Sequence, residues 1–467
     1  MKRWLNNFYF QIAAAYAVAA AVLGARVILF PARARVLLSP LYGRWEPRAT
    51  WWLAAALPAL AACVAVALKP RRRAALIFLT AAAIVGCVVV NVAPGGWHAL
   101  PFLSYDLFVH DARWLYENAN VFRDYAALTA AYNQHCRVRP GMTYWLLGLA
   151  DRLGGGNAVA VELMIIGVAA LAVPLTALGA RAFVPARDGY TAAALFALSP
   201  SFLVYGSAPD GFYAVAGAAA IALIWHAFKA RASLALAAAA GALVAFCLLT
   251  SYTLIAVLLF LFVAAAFLAA VRKPRARPLL VAGVATLTAA ATLILFQLAT
   301  GYDHYAVFRR AFVTAQQLAP GGDNLIKMAT RWFTGGPFLS PETGKRPYGI
   351  WVVANLFSFF LILGVPTAVL YGRELRRLLK GKAWQADLYG TTVVAFLVSF
   401  LAANLGGFVL GEVERVWLFL VGGFAVPAAV YLQRLCAERR SAAPAVVTFA
   451  VLAAQAAAYH MLVNQPF

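Results

Sequence analysis

Charge is what this sequence has least of. Only 12% of its residues are Asp, Glu, Lys or Arg, about half the share of a soluble globular domain. Acids are the scarcer kind, 17 against 39 bases. Cysteine is thin as well: Cys63, Cys87, Cys136, Cys247 and Cys436 are scattered and form no CxxC pair, which excludes a disulfide framework and a zinc-finger spacing. What abounds is hydrocarbon. Hydrophobic residues make up 64% of the chain and the mean hydropathy is +0.79, so the solvent for most of this protein is a bilayer.

Apolar runs of about 17 to 22 residues, each able to cross roughly 30 Å as a helix, fall near 10–30, 51–68, 75–93, 158–181, 189–206, 211–229, 233–250, 252–271, 279–299, 351–372, 389–408, 415–433 and 444–463. They predict an all-α integral membrane protein, a bundle of about 11–13 transmembrane helices. Four short basic stretches, "KPRRR" (Lys69 to Arg73), "RKPRARP" (Arg272 to Pro278), "GRELRRLLKGK" (Gly372 to Lys382) and "QRLCAERR" (Gln433 to Arg440), fall on one side of that topology. The positive-inside rule makes that side cytoplasmic, with the N-terminus inside and the first apolar run a retained signal anchor. Arg33, Arg35, Arg44 and Arg48 would then lie outside, so a re-entrant path for 10–68 is the alternative. The formal charge of +22 is spread over loops without a basic-aromatic recognition module, which points to membrane lipids and orientation and to no nucleic acid.

Two loops exceed a connector's length, Pro94 to Asn157 and Thr300 to Ile350, both predicted outside. Most acids share that side. The chain divides accordingly into N-terminal transmembrane helices (1–74), a transmembrane core (75–300) with the first outer loop (94–157), a second outer loop (301–350) and C-terminal transmembrane helices (351–467). No inverted internal repeat of the transporter kind is visible, and the span interiors are nearly free of charge, Glu162 excepted.

The first loop carries a cluster, "SYDLFVHDARWLYENANVF", with Asp106, His110, Asp111, Arg113 and Glu117. In a helix Asp106 and His110 share a face while Asp111 and Arg113 point elsewhere. A carboxylate at a membrane mouth can accept the proton of an attacking hydroxyl; a surface helix needing polar residues is the plainer alternative. Further on, Arg137 and Arg139 lead into Pro140 and the amphipathic "GMTYWLLGLADRL", whose Tyr144–Trp145 pair suits a headgroup interface. Arginines there would sit at phosphate depth.

An acid after a transmembrane helix, then a basic-Pro step into "YWLLGL", resembles the first external loop of the GT-C glycosyltransferases, a family that includes protein O-mannosyltransferases and the lipid A aminoarabinose transferase. "ALSPSFLVYGSAPDGFYAVAGAAAIAL" and "GEVERVWLFLVGGFAVPAAVYL" agree with later family segments in order and sidedness. The family's basic-Pro-Pro step reads Arg139-Pro140-Gly141 here.

The resemblance implies a GT-C-like bundle with amphipathic helices in its two long extracytoplasmic loops. It implies inverting transfer of a sugar from a polyprenyl-phosphate donor to a hydroxyl of a lipid, cell-envelope glycan or protein, on the extracytoplasmic face of a bacterial inner membrane. Asp106, or Asp111 in an alternative alignment, would be the catalytic base. Arg139 and Arg415, with Arg137, Lys345 and Arg346, would bind the donor phosphate; His110, Asp210 and Glu414 would neighbour the substrate or a metal. No cofactor is required by that chemistry, although Asp106 and His110 at i, i+4 leave room for a divalent ion, magnesium or manganese. An outer-face polysaccharide polymerase or ligase with a lipid-pyrophosphate donor is the nearer rival, and a lipid or glycan transporter the more distant one. Asp210 has a structural alternative as a helix cap, and Arg415 one as an ion-pair partner of Glu412 or Glu414.

Overall fold

The computed structural model describes residues 7–29, 53–67, 72–93, 97, 108–118, 121–128, 139–229, 234–271, 274–318, 348–406 and 416–462. Among them every regular element is helical. Hydrocarbon demands this, because a helix satisfies its own N–H and C=O groups without a neighbouring strand. In chain order the helices are α1 (Phe8–Leu29), α2 (Leu53–Ala67), α3 (Arg72–Val92), α4 (His110–Asn118), α5 (Tyr125–Leu128), α6 (Gly141–Leu153) and α7 (Ala158–Ala170). Next come α8 (Ala172–Ala180), α9 (Ala186–Ala197), α10 (Pro200–Tyr205), α11 (Gly211–Phe228), α12 (Leu234–Thr250), α13 (Ile255–Val271) and α14 (Ala276–Thr300). The last are α15 (His304–Leu318), α16 (Tyr348–Leu363), α17 (Val365–Leu379), α18 (Leu388–Gly406), α19 (Val421–Glu438) and α20 (Ala443–Leu462).

Eight of the thirteen apolar runs are helices long and apolar enough to cross a membrane: Ala74–Val92, Ala158–Ala180, Gly211–Phe228, Tyr252–Val271, Ala276–Thr300, Leu388–Gly406, Leu418–Glu438 and Ala443–His460. The other five are helical but shorter or broken. Helix α2 has 15 residues and α12 has 17, α1 is apolar over Phe8–Leu23, and α9 and α10 part at Leu198–Ser199, where the Ser199 hydroxyl accepts the N–H of Phe202. The run at 351–372, expected as one span, bends by 107° between α16 and α17. Gly364 sits at the bend with φ of 102° and Pro366 follows. This conformation favours glycine, and a Cβ there would collide with Leu452 Cδ2 at 2.1 Å.

A broken helix inside hydrocarbon must find partners for its freed backbone groups. Gln455 of α20 supplies them: its side-chain amide donates to the Leu361 carbonyl and accepts the Val365 N–H at 3.0 Å. Tyr16 of α1 donates to the same Gln455 oxygen at 2.7 Å.

Small residues set the packing elsewhere, as expected where dispersion rather than water drives helix association. A Cβ on Gly241 would fall 2.1 Å from the Ala285 carbonyl oxygen, and one on Gly217 2.5 Å from Phe419. Helices α12 and α14 therefore touch at backbone distance, and Gly217 of α11 makes room for the Phe419 side chain. Gly211–Phe228 and Leu418–Glu438 are the most enclosed spans, at 78% buried, while Ala276–Thr300, at 22%, runs along the periphery.

The bundle has two chemically different ends. At one, α1, α9, α17, α18 and α19 meet around Glu374, whose side chain is fully buried. Arg377 grips its carboxylate at 2.7 and 3.0 Å, Arg434 at 3.2 Å and the Tyr389 hydroxyl at 3.1 Å. Arg373 donates to Gln11 at 2.5 Å and to Tyr431 at 3.2 Å. Two of the basic stretches thus converge as the topology requires, and they fold around acids rather than merely facing water. Asp188, ahead of the apolar part of α9, has its carboxyl pushed up to about 6 by burial, with the nearby Glu374 charge acting the same way and Arg187 and Arg434 opposing.

Gly364→Ala should destabilise the protein by roughly 1–3 kcal/mol through overpacking and a disfavoured φ, read as a lower Tm in detergent. For Asp188, folding raises the carboxyl's affinity for its proton, so its contribution to stability is present below the ordinary value of about 4 and lost as pH rises through about 6. Asp188→Asn is therefore expected to flatten the dependence of Tm on pH between about 4 and 7; a slope equal to wild type would contradict this.

Candidate active site

The opposite end holds the described residues of the long 94–157 loop. Pro140 stands at the head of α6 in extended conformation, φ −68° and ψ 157°, and a proline there also keeps the preceding residue out of the helical region. The backbone of Arg139 is held outside the helix, and its side chain lies between two groups from other elements. Its Nη2 is 3.8 Å from Asp210 Oδ1, and its guanidinium carbon stands 4.4 Å from the centre of the Phe108 ring. Cation and carboxylate are both largely removed from water, the Arg139 side chain at 12% exposure and the Asp210 side chain at 0%.

Asp210 occupies the residue before α11 in the "SAPDG" turn. It makes no capping bond to that helix, unlike Asn157, which accepts the Ala160 N–H, or Ser199 at α10. The helix-cap alternative therefore fails in its side-chain form. The carboxylate faces Arg139 instead, beside the positive end of the α11 dipole, where an anion is favoured. Gly211 permits the close seating: a Cβ there would be 2.9 Å from Ala169 Cβ and 3.0 Å from the Gly206 carbonyl.

Helix α4 begins at His110, after a short π-type turn at Phe108 and Val109. His110 points outward with its side chain 75% exposed, whereas the Asp111 side chain is 10% exposed, with 4.0 Å between His110 Nδ1 and Asp111 Oδ1. Arg113 binds Asp151 of α6 bidentately, at 2.7 Å through both nitrogens. Gly148 lets the two helices close, since a Cβ would meet Tyr116 and the Ala112 carbonyl at 3.1–3.2 Å. Asp111 and Arg139 thus belong to one rigidly packed pair of segments.

Helix α6 departs from the interfacial role expected of it. Tyr144, Leu147 and Asp151 are buried inside the protein, and Trp145 packs on Phe122 with ring centroids 6.4 Å apart. The protein, not the leaflet, receives its apolar face, because α4, α7 and α12 flank it. Tyr302, following Gly301 (φ 73°), joins this aromatic cluster through Phe122, Tyr125 and Phe296. His304 next to it makes a ring-nitrogen hydrogen bond with the Leu293 carbonyl at 2.9 Å, and burial lowers its basicity.

Of the residues singled out by sequence, the structure brings together Arg139 and Asp210 and puts Asp111 in the helix next to Phe108. Asp106, Arg137, Lys345, Arg346, Glu414 and Arg415 lie outside the described residues. Among the described residues no three His, Cys, Asp or Glu side chains converge on a metal position. Sequence reasoning passed over Phe108, Tyr125, Asp151 and Tyr302. Their spacing is not periodic and each acts on a partner at least 14 residues away, so no local pattern marks them.

No family model matches this sequence, and no curated protein matches it significantly. Solved structures do match. The oligosaccharyltransferase of Archaeoglobus fulgidus, in a complex with Zn and sulfate, superimposes with a TM-score of 0.55 at 15% identity, over 83% of this chain and 54% of that one. The same archaeal enzyme, AglB, in complex with an inhibitory peptide and a dolichol-phosphate gives 0.52 at 13% identity, over 84% and 56%. ArnT from Cupriavidus metallidurans in the apo state gives 0.45 at 14% identity, over 82% and 78%. The fold is therefore similar to that of the archaeal oligosaccharyltransferase. The chain spans about half the length of the archaeal oligosaccharyltransferase it matches.

Removing one partner of a buried ion pair strands the other charge, which costs about 3–5 kcal/mol. Asp210→Ala should therefore lower stability strongly. The paired replacement Arg139→Met with Asp210→Leu should recover most of it, measured by Tm. Recovery of function alongside stability would make the pair purely structural.

Proposed function

We propose that this chain is a membrane glycosyltransferase of the GT-C type, transferring a sugar from a lipid-phosphate-linked donor to a hydroxyl at the extracytoplasmic end of the bundle. The observation that carries the reading is the Arg139–Asp210–Phe108 arrangement: a guanidinium held by a buried acid and an aromatic face, at the end of the bundle opposite the arginine-rich one. A lipid-linked donor cannot leave the bilayer, so its phosphate has to be met at headgroup depth by a fixed cation. Support for a lipid phosphate also comes from AglB, which is similar in fold and has been solved in complex with a dolichol-phosphate. The opposite end, rich in arginine, is cytoplasmic by the positive-inside rule.

The reaction is a single displacement. The carboxylate of Asp106, or of Asp111, takes the proton of the acceptor hydroxyl as its oxygen attacks the anomeric carbon. The bond to the phosphate oxygen breaks with inversion, and its electrons leave as lipid phosphate. Arg139 and Arg415 stabilise that departing charge, with Arg137, Lys345 and Arg346 as outer cations. Fixed donors of this kind are worth about 100-fold to 1000-fold in rate. A phosphate departs without protonation, so one base suffices. The sugar and the acceptor, whether lipid, glycan or protein, are matters for assay.

The test is transfer of radiolabelled sugar by purified protein in lipid, from panels of polyprenyl-phosphate and polyprenyl-pyrophosphate donors, comparing wild type with Asp106→Asn, Asp111→Asn and Arg139→Lys. The base variant should lose at least about 100-fold in kcat with donor capture intact, while Arg139→Lys should weaken donor use. Wild-type turnover in both Asp variants would sink the mechanism, and turnover only with pyrophosphate donors would move the protein to the polymerase or ligase class.

A further inference from the structure

Two tyrosine hydroxyls hold the backbone on either side of Pro140. Tyr125 Oη donates to the Arg139 carbonyl at 3.0 Å, and the Gly141 N–H donates to Tyr302 Oη at 2.9 Å. Both side chains are buried, at 0% and 1% exposure, with ring centroids 5.9 Å apart. One peptide step of the first loop is thereby clamped by its own short helix α5 and by the residue that opens the second loop.

The chemistry of residue 141 fits the clamp. The rings press so closely that a Cβ on Gly141 would lie 3.0 Å from Tyr302 Cε2 and 3.3 Å from Tyr125 Cδ2, tighter than a side chain tolerates without displacing a buried ring. A proline, which stands at this place in the motif that the loop resembles, would also lack the N–H that Tyr302 receives. The departure to glycine and the tyrosine at 302 are therefore a matched pair.

We infer that Tyr125 and Tyr302 are positioning residues that aim the Arg139 guanidinium at the donor phosphate. Asp210 holds the tip of the side chain, Phe108 its face, and the two tyrosines its root. A long cation contributes most when its geometry is set before the ligand arrives, since otherwise ligand binding has to order it. Both hydroxyls sit on the backbone of the Arg139-Pro140-Gly141 step, so neither has to touch the donor. This inference rests on the reading of Arg139 as the cation for the lipid phosphate.

Tyr125→Phe and Tyr302→Phe remove one oxygen each and keep the rings. In full-length protein in nanodiscs, Tyr302→Phe leaves a buried N–H unanswered, and the binding of a polyprenyl phosphate, read by native mass spectrometry, should weaken by about tenfold. The donor KM should rise by a similar factor with kcat changed less. The same change placed in the Arg139→Met, Asp210→Leu background should add almost nothing, because its target is gone. Amide exchange at Gly141 to Tyr144 should quicken in Tyr302→Phe. Equal losses of donor binding with and without Arg139, or exchange at Gly141 that stays at the wild-type rate, would overturn the positioning role. Wild-type donor binding by Arg139→Lys and by the Arg139→Met, Asp210→Leu pair would instead overturn the donor-phosphate reading, and exchange at Gly141 would still decide whether the tyrosines hold the step.

Discussion

A charge or a broken helix inside hydrocarbon has no water to turn to, and this constraint organises the molecule. Glu374 is enclosed by Arg377, Arg434 and Tyr389. Arg139 is enclosed by Asp210 and Phe108. The bend at Gly364 is bridged by one glutamine side chain from α20. Each of these would be costly alone, because an uncompensated buried polar group loses its hydration without return. Together they tie helices that are distant in sequence, so the few polar residues do more of the specifying than their number suggests.

The two ends of the bundle use the same device for different purposes. At the arginine-rich end the carboxylate is the buried member and the cations are partly exposed, 40% for Arg377 and 35% for Arg434. An ion pair arranged that way draws helix ends together and leaves basic surface for headgroups. At the site end both partners are withdrawn from solvent, and the cation is backed by an aromatic face. Such a guanidinium is strengthened in its pull on an anion by the low local dielectric, provided that anion arrives within the membrane interface. The difference in exposure, not in residue type, separates a structural anchor from a candidate binding group.

Much of the fold was legible residue by residue. Hydrocarbon length, period and loop charge mark the helices because each is a local property, and each of the thirteen apolar runs contains helix. The bend at 351–372 was not legible: a glycine followed two residues later by proline is common in membrane helices, and only the pressure of Leu452 and the bridge from Gln455 turn it into a sharp break. Tyr144 was likewise misplaced at the leaflet, since an amphipathic stripe does not say whether lipid or protein will cover it. In the site, Asp210 reads in the sequence as a helix cap or a substrate neighbour; its carboxylate makes no capping bond and lies beside Arg139, 71 residues upstream.

By itself the sequence determined that this is a polytopic helical membrane protein, which of its segments are apolar enough for hydrocarbon, and that its Arg-Pro step lies in a long loop between two of them. Composition and periodicity suffice for that, because the bilayer acts on each segment separately. Tertiary structure alone decided that Arg139 meets Asp210, that Phe108 lies against the guanidinium, and that tyrosines 125 and 302 seize the peptide step beside it. Those are contacts between segments far apart along the chain, which no local pattern of residues encodes.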